Sequence, residues 1–127
     1  MTKEQAIQSK KWAVVGANNN PSKFGNKIYK KLKQHGYEVY PVNPGLSDID
    51  GDVCYPSLES IPVKVDVVDF VVPEKIGLTT LEQMQLAGIS TAFLQPGTAS
   101  KAVLSKAKEL NINVIQGCVL IELAFNC

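Results

Sequence analysis

Five apolar, strand-like runs alternate with amphipathic stretches along this 127-residue chain, and no other feature constrains its fold so tightly. "WAVVG" (12–16) opens the series, and continuous apolar residues without alternation suit a strand covered on both faces. The pattern turns helical from Gly25 to His35, with Ile28, Tyr29 and Leu32 at spacings of three and four, and Gly36 stands where helices commonly end. "YEVYPVNP" (37–44) predicts a second strand closed by Pro44. The turn-rich "GLSDIDGD" (45–52) leads to an extended piece at Cys54–Tyr55 and a helical turn at Ser57–Ser60. "VDVVDFVV" (65–72), with five valines in eight positions, is the strongest strand signal. Pro73 stops it, and Glu74 opens a helix to Ala87 that Gly77 is expected to interrupt early. "STAFLQ" (90–95) is the next strand, followed by an amphipathic helix over 99–110 with Val103, Leu104 and Leu110 inward. "INVIQ" (112–116) and a helical stretch over 119–125 complete the chain.

Strands and helices alternating at this spacing make a parallel sheet with helices on both faces. Right-handed crossovers then predict an α/β, Rossmann-like, doubly wound and mainly parallel sheet of five to six strands. The length predicts one domain over residues 1–127. In such sheets a ligand sits beyond the carboxyl ends of the strands, where the strand order reverses. That rule nominates the turns after Gly16, Val42, Val72 and Gln95.

The bulk chemistry removes several functions. Thirteen basic against twelve acidic residues give a net charge of +1, too balanced for a protein whose main work is holding nucleic acid. No apolar run approaches the ~20 residues that cross a bilayer, and "MTKEQAIQSKK" lacks the apolar core of a signal peptide. The expectation is a cytoplasmic protein without a membrane or nucleic-acid partner. Cys54, Cys118 and Cys127 are widely separated, and with a single histidine they offer no metal-ligand spacing, so no metal site is expected.

The first turn, "GANNNPSKFG" (16–25), places backbone N–H groups ahead of a helix N-terminus, an arrangement that favours an anion such as a phosphate. Gly16 permits a sharp turn and close approach. Ala17 follows it, and Asn18, Asn19 and Asn20 tolerate left-handed backbone and supply amide donors. Ser22 can cap, Lys23 and Lys27 add charge, and Gly25 lets the helix pack tightly. A polar turn that merely joins strand to helix is an equal reading of the same residues. The dinucleotide fingerprint G-x-G-x-x-G is not satisfied, since Asn18 and Pro21 occupy the later glycine positions, and the G-K-[ST] of a P-loop is missing. At the end of the second strand Asn43 stands where an NAD-binding unit places a carboxylate, which disfavours NAD(P).

The stretches 13–44, "CYPSLESIP" (54–62), "VDVVDFVVPE" (65–74), "FLQPG" (93–97) and "NVIQGCVLIEL" (113–123), in this order, resemble the CoA-binding domain family. These are small proteins similar to the N-terminal domain of the succinyl-CoA synthetase alpha subunit. The resemblance implies a Rossmann-like domain whose first turn binds the CoA pyrophosphate. It implies that Gly16, Asn18, Ser22, Phe24, Gly25 and Asn26 surround the phosphates and pantetheine arm. Val42, Asn43 and Pro44 would meet the adenosine half, Val71, Val72 and Pro73 would wall the adenine or pantetheine, and Gln95 with Pro96 would line the mouth. Ala17, Asn19, Asn20 and Lys23 join the set through the turn they share. The family often carries a basic residue after the second-strand "NP", suited to the adenosine 3′-phosphate. Here Gly45 and Leu46 follow, and an acidic loop at Asp48, Asp50 and Asp52 near that phosphate would repel it. Related sequences carry "DRC" where this chain has "QGC" (116–118), and the synthetase's phosphorylated histidine belongs to a second domain.

No catalytic residues are assigned. His35, the single histidine, suits a helix C-cap away from the ligand turns. Cys118 could face the CoA thiol, but reads first as a small buried hydrophobe. Asp66 and Asp69 flank the central strand without forming an acid/base pair, and Asp69, inside a buried run, needs a partner. Glu122 can cap or pair near the last turn, while Trp12 and Phe24 read as core and pocket wall. Absence of a nucleophile–base pair favours a module that binds CoA or an acyl-CoA over an NAD(P)- or thiol-dependent enzyme. A non-catalytic subunit of a synthetase-like complex, or a homo-oligomer, remains open.

Overall fold

A computed structural model describes residues 1–125; Cys127 lies outside the described residues. Helix α1 (Lys3–Gln8) precedes strand β1 (Lys11–Val15), helix α2 (Phe24–Gln34) and strand β2 (Glu38–Val42). A small hairpin, β3 (Asp48–Ile49) and β4 (Asp52–Val53), and a 3-10 turn at Leu58–Ser60 lead to β5 (Val67–Phe70) and α3 (Glu74–Ala87). Then follow β6 (Thr91–Leu94), α4 (Lys101–Glu109), β7 (Asn113–Gln116) and α5 (Val119–Phe125).

The main sheet has five parallel strands in the order β2-β1-β5-β6-β7. The chain adds β2 on one side of β1 and then crosses to add β5, β6 and β7 on the other. The order therefore reverses between β1 and β5, where Val15 pairs with Phe70. The expected Rossmann-like doubly wound fold is the one observed.

Alternate residues of the strands feed two cores. Trp12, Val14, Val39, Val67, Phe93 and Ile115 face α1, α2 and α5, meeting Ile7, Ile28, Leu32, Val119 and Leu123. Ala13, Val15, Val68, Phe70, Ala92 and Leu94 face α3 and α4, meeting Leu81, Met84, Val103 and Ala107. Burial on both faces is why β1, β5 and β6 read as nearly continuous buried runs, whereas the edge strands β2 and β7 expose Glu38, Asn113 and Gln116.

Three local features depart from the sequence expectation. Helix α1 forms inside the charged N-terminal stretch, held by a reciprocal cap in which Thr2 and Gln5 satisfy each other's backbone N–H groups. The turn-rich 45–52 segment contains the β3–β4 hairpin, with Asp50 and Gly51 at positive φ in its turn. Gly77 does not break α3. A Cβ there would lie 3.5 Å from Val103 and 3.7 Å from Phe70, so the missing side chain sits at the contact of α3 with β5 and α4.

Candidate functional site

The turn after β1 is wedged between the two neighbouring strands. The Gly16 N–H donates to the Val42 carbonyl at 3.0 Å, and the Val71 N–H donates to the Val15 carbonyl at 2.9 Å. Gly16 has φ +100°, and a Cβ on it would stand 2.2 Å from the Val71 carbonyl oxygen. Glycine is required here on both counts, backbone conformation and space.

The asparagines hold the shape of the turn. Asn18 Oδ1 accepts the Asn20 N–H at 2.7 Å, and Asn20 Oδ1 accepts the Ser22 N–H at 3.0 Å and its hydroxyl at 2.7 Å. Asn19 Nδ2 donates to the Asp48 carbonyl at 3.2 Å, and the buried Asn26 Nδ2 donates to the Asn18 carbonyl at 2.7 Å. Such side-chain closure is what Asn offers a turn in place of glycine. No side chain caps α2, so its leading N–H groups keep their capacity for an external acceptor.

Asn43, at the end of β2, ties this turn to the next one. Its Nδ2 donates to the Ala17 carbonyl at 2.9 Å, while its Oδ1 accepts the Gly45 N–H at 2.9 Å. Both halves of the amide are engaged by backbone, a task a carboxylate cannot perform because it has no donor.

Beyond these strand ends lies a cleft of about 740 Å³. Of the residues named from the sequence, Gly16, Asn18, Val42, Asn43, Pro44, Val71, Val72 and Pro73 line it. The others stand elsewhere. Ala17, Gly25 and Asn26 are buried, while Asn19, Asn20, Ser22, Lys23 and Phe24 are exposed, all outside the lining. Phe24 is 62% exposed, with Lys27 Nζ 5.6 Å from its ring centroid. Pro96 is exposed and Gln95 is buried, both outside the lining.

The far bank, unread in the sequence, is α3. Lys75, Thr79 and Gln83 recur every four residues and, with Ile76, Thr80, Pro56 and Ser57, line the cleft. Polar residues at helical spacing directly after a strand-end proline were the available signal. A separate cavity of about 560 Å³ lies between α1 and α5, lined by Lys3, Tyr37 and Glu122 among others.

The acidic loop is folded onto α2. Lys33 Nζ sits 2.6 Å from Asp52 Oδ2, which also accepts from the Tyr29 hydroxyl, and Lys30 Nζ lies 3.8 Å from Asp50. None of Asp48, Asp50 and Asp52 lines the cleft.

The remaining candidates have structural surroundings. His35 is the C-cap residue of α2. Trp12 is fully buried with its indole N–H donating to the Ser9 carbonyl at 2.8 Å. Cys54 is buried, and burial raises its thiol pKa. Cys118 is half-buried, and its carbonyl accepts the N–H groups of Ile121 and Glu122 at the start of α5. Glu122 pairs with Lys3 at 3.4 Å, and Asp66 Oδ2 accepts the Lys11 N–H at 3.3 Å. Asp69 finds its partner in Gln95, whose Nε2 donates to Oδ1 at 2.6 Å while its Oε1 accepts the Val119 N–H at 3.2 Å. Complete burial raises the Asp69 pKa to about 8, and the Gln95 hydrogen bond lowers it only in part. Among the described residues no group of three or more His, Cys, Asp and Glu side chains could hold a metal, and no helix is long and apolar enough to cross a membrane.

The family model described as CoA binding domain matches residues 10–124. Among curated proteins, the chain is 40% identical over 78 residues to the alpha subunit of acetate–CoA ligase [ADP-forming] II from Pyrococcus furiosus, covering 61% of this chain and 17% of that one. It is 36% identical over 115 residues to the alpha subunit of acetate–CoA ligase [ADP-forming] I from the same organism, covering 81% and 25%. The chain thus spans a quarter or less of these ligase subunits. Among solved structures, a hypothetical protein from Pyrococcus horikoshii OT3 superposes with a TM-score of 0.89 at 35% identity, covering 97% of this chain and 87% of that one.

Proposed function

This chain belongs to the CoA-binding domain family, and from that premise we propose that it binds CoA or an acyl-CoA in the cleft beyond β1, β2 and β5, without catalysis of its own. The observation that carries the reading is the convergence of three features on one place. The Gly16 turn that leads into the uncapped α2, the apolar strand exits at Val42 and Val71–Pro73, and the cleft of about 740 Å³ that these residues line lie beside the reversal of strand order. In this reading the turn takes the pyrophosphate, with Lys23 and Phe24 beside it. The residues from Val42 to Pro44 meet the adenosine half, and Val71–Pro73 form the wall. Asn43, committed to two backbone groups, offers no carboxylate for ribose hydroxyls, which supports CoA over NAD(P).

Thermal unfolding with CoA, dephospho-CoA and NAD⁺ tests it. A ligand at a hundred times its dissociation constant adds about 2.7 kcal/mol, on the order of 10 °C for a domain of this size. A shift with CoA is expected; a shift with NAD⁺ alone, or with none of the three, overturns the reading.

A second reading, one non-catalytic subunit of a larger CoA-ligase assembly, is favoured by one observation: the ligase relatives bear the name of alpha subunits. Co-purification of a second chain with the tagged protein, and its dependence on this chain for stability, would support that reading.

A further inference from the structure

We propose that Lys75, at the start of α3, is the cation that recognises the 3′-phosphate of CoA, and that this chain therefore discriminates CoA from dephospho-CoA. The inference rests on the reading of the cleft as a CoA site. A phosphate monoester carries close to two negative charges at neutral pH and needs a cation or several N–H donors to leave water. The residues following β2 supply none, since Gly45 and Leu46 stand there. Lys75 is the one basic residue among those lining the cleft. It lies two residues past Pro73, and the Pro44, Pro56 and Ser57 end of the lining completes the same cleft.

Two further observations free Lys75 for this work. Its ammonium forms no ion pair among the described residues, where the four ion pairs use Lys3, Lys30, Lys33 and Lys106. The carboxylates of the 48–52 loop stand outside the lining, and two of them are paired from α2: Asp50 by Lys30 and Asp52 by Lys33.

The test is calorimetric titration of the full chain with CoA and with dephospho-CoA at one fixed ionic strength. The proteins are the parent, Lys75→Met, Lys75→Arg, and Lys108→Met as a variant that removes one exposed charge from α4. The parent should bind CoA about tenfold or more tightly than dephospho-CoA, the ratio a charge-assisted phosphate contact produces. Lys75→Met should bring the ratio to within about twofold of one, chiefly by weakening CoA, and Lys75→Arg should restore most of it. Lys108→Met should keep the parental ratio. A parent that binds CoA but treats both ligands alike, or a Lys75→Met variant that retains the ratio, overturns the assignment of Lys75 and leaves the CoA site standing. Failure of the folded parent to bind either ligand overturns the site itself, and this assignment with it.

Discussion

Gln95 Nε2 meets Asp69 Oδ1 at 2.6 Å in the centre of the sheet, and among the described residues nothing meets Asp69 Oδ2. With Gln95 Oε1 on the Val119 N–H, the pair links the central strand to the start of α5. Full burial holds the Asp69 carboxyl neutral up to about pH 8. In the unfolded chain it ionises near pH 4. Between those values the native state keeps a proton that the unfolded state has released, so this group's stabilisation is complete below pH 4 and declines as pH rises to 8. The slope approaches about 1.4 kcal/mol per pH unit. Asp69→Asn keeps an oxygen for Gln95 and cannot ionise. Urea unfolding at pH 5, 6.5 and 8 should show the variant gaining on the parent with each rise in pH, and parallel profiles would count against a neutral buried Asp69.

Gly25→Ala should destabilise the fold. A Cβ on Gly25 would stand 2.0 Å from the Gly16 carbonyl oxygen, a backbone atom that no rotamer change can move. Overpacking of this kind costs about 1–3 kcal/mol, visible as a lowered urea midpoint. An unchanged midpoint would mean that α2 sits farther from the turn.

Gly77→Ala has the opposite sign. The added methyl meets Val103 and Phe70 at ordinary contact distances of 3.5 Å and 3.7 Å, inside a continuous helix. Replacing a mid-helix glycine should raise stability by about 0.5–1 kcal/mol. The same unfolding measurement checks it, and a loss of stability would refute the spacing.

Asn43→Asp removes the donor to the Ala17 carbonyl and sets a carboxylate against that oxygen. A loss of about 1–3 kcal/mol is expected, with no gain in NAD⁺ binding by titration calorimetry. Gain of NAD⁺ binding in a stable variant would revive the dinucleotide reading.

Thr79→Trp tests the α3 bank of the cleft. Thr79 is exposed, so an indole there should leave the unfolding midpoint within about 2 °C while occupying space the ligand needs. CoA affinity should fall at least about tenfold, whereas Leu86→Trp, at a site 79% exposed and outside the cleft, should leave it unchanged.

The order of strands and helices was written in local patterns. The runs around Trp12, Val67 and Ala92 are continuously buried because both faces of the central strands are covered, and Gly36 ends α2 at positive φ. The strand-end turns at Gly16, Val42 and Val72 follow from that order, because topology alone sends a ligand to the point of reversal. Local chemistry that runs against composition was harder to read. Helix α1 depends on a two-residue cap within a charged segment, and the continuity of α3 through Gly77 depends on what the helix packs against. Tertiary structure alone decided which residues share a surface. It brought Lys75, Thr79 and Gln83 to the same cleft as the β2 exit and paired Asp50 and Asp52 with Lys30 and Lys33. It also placed Gln95 inside, against Asp69, where the sequence showed only a polar residue at a strand end. The reason is one of range. Helix and strand signals are set by neighbours a few residues apart, whereas a cleft and the sign of its charge depend on side chains that only the closed sheet brings together.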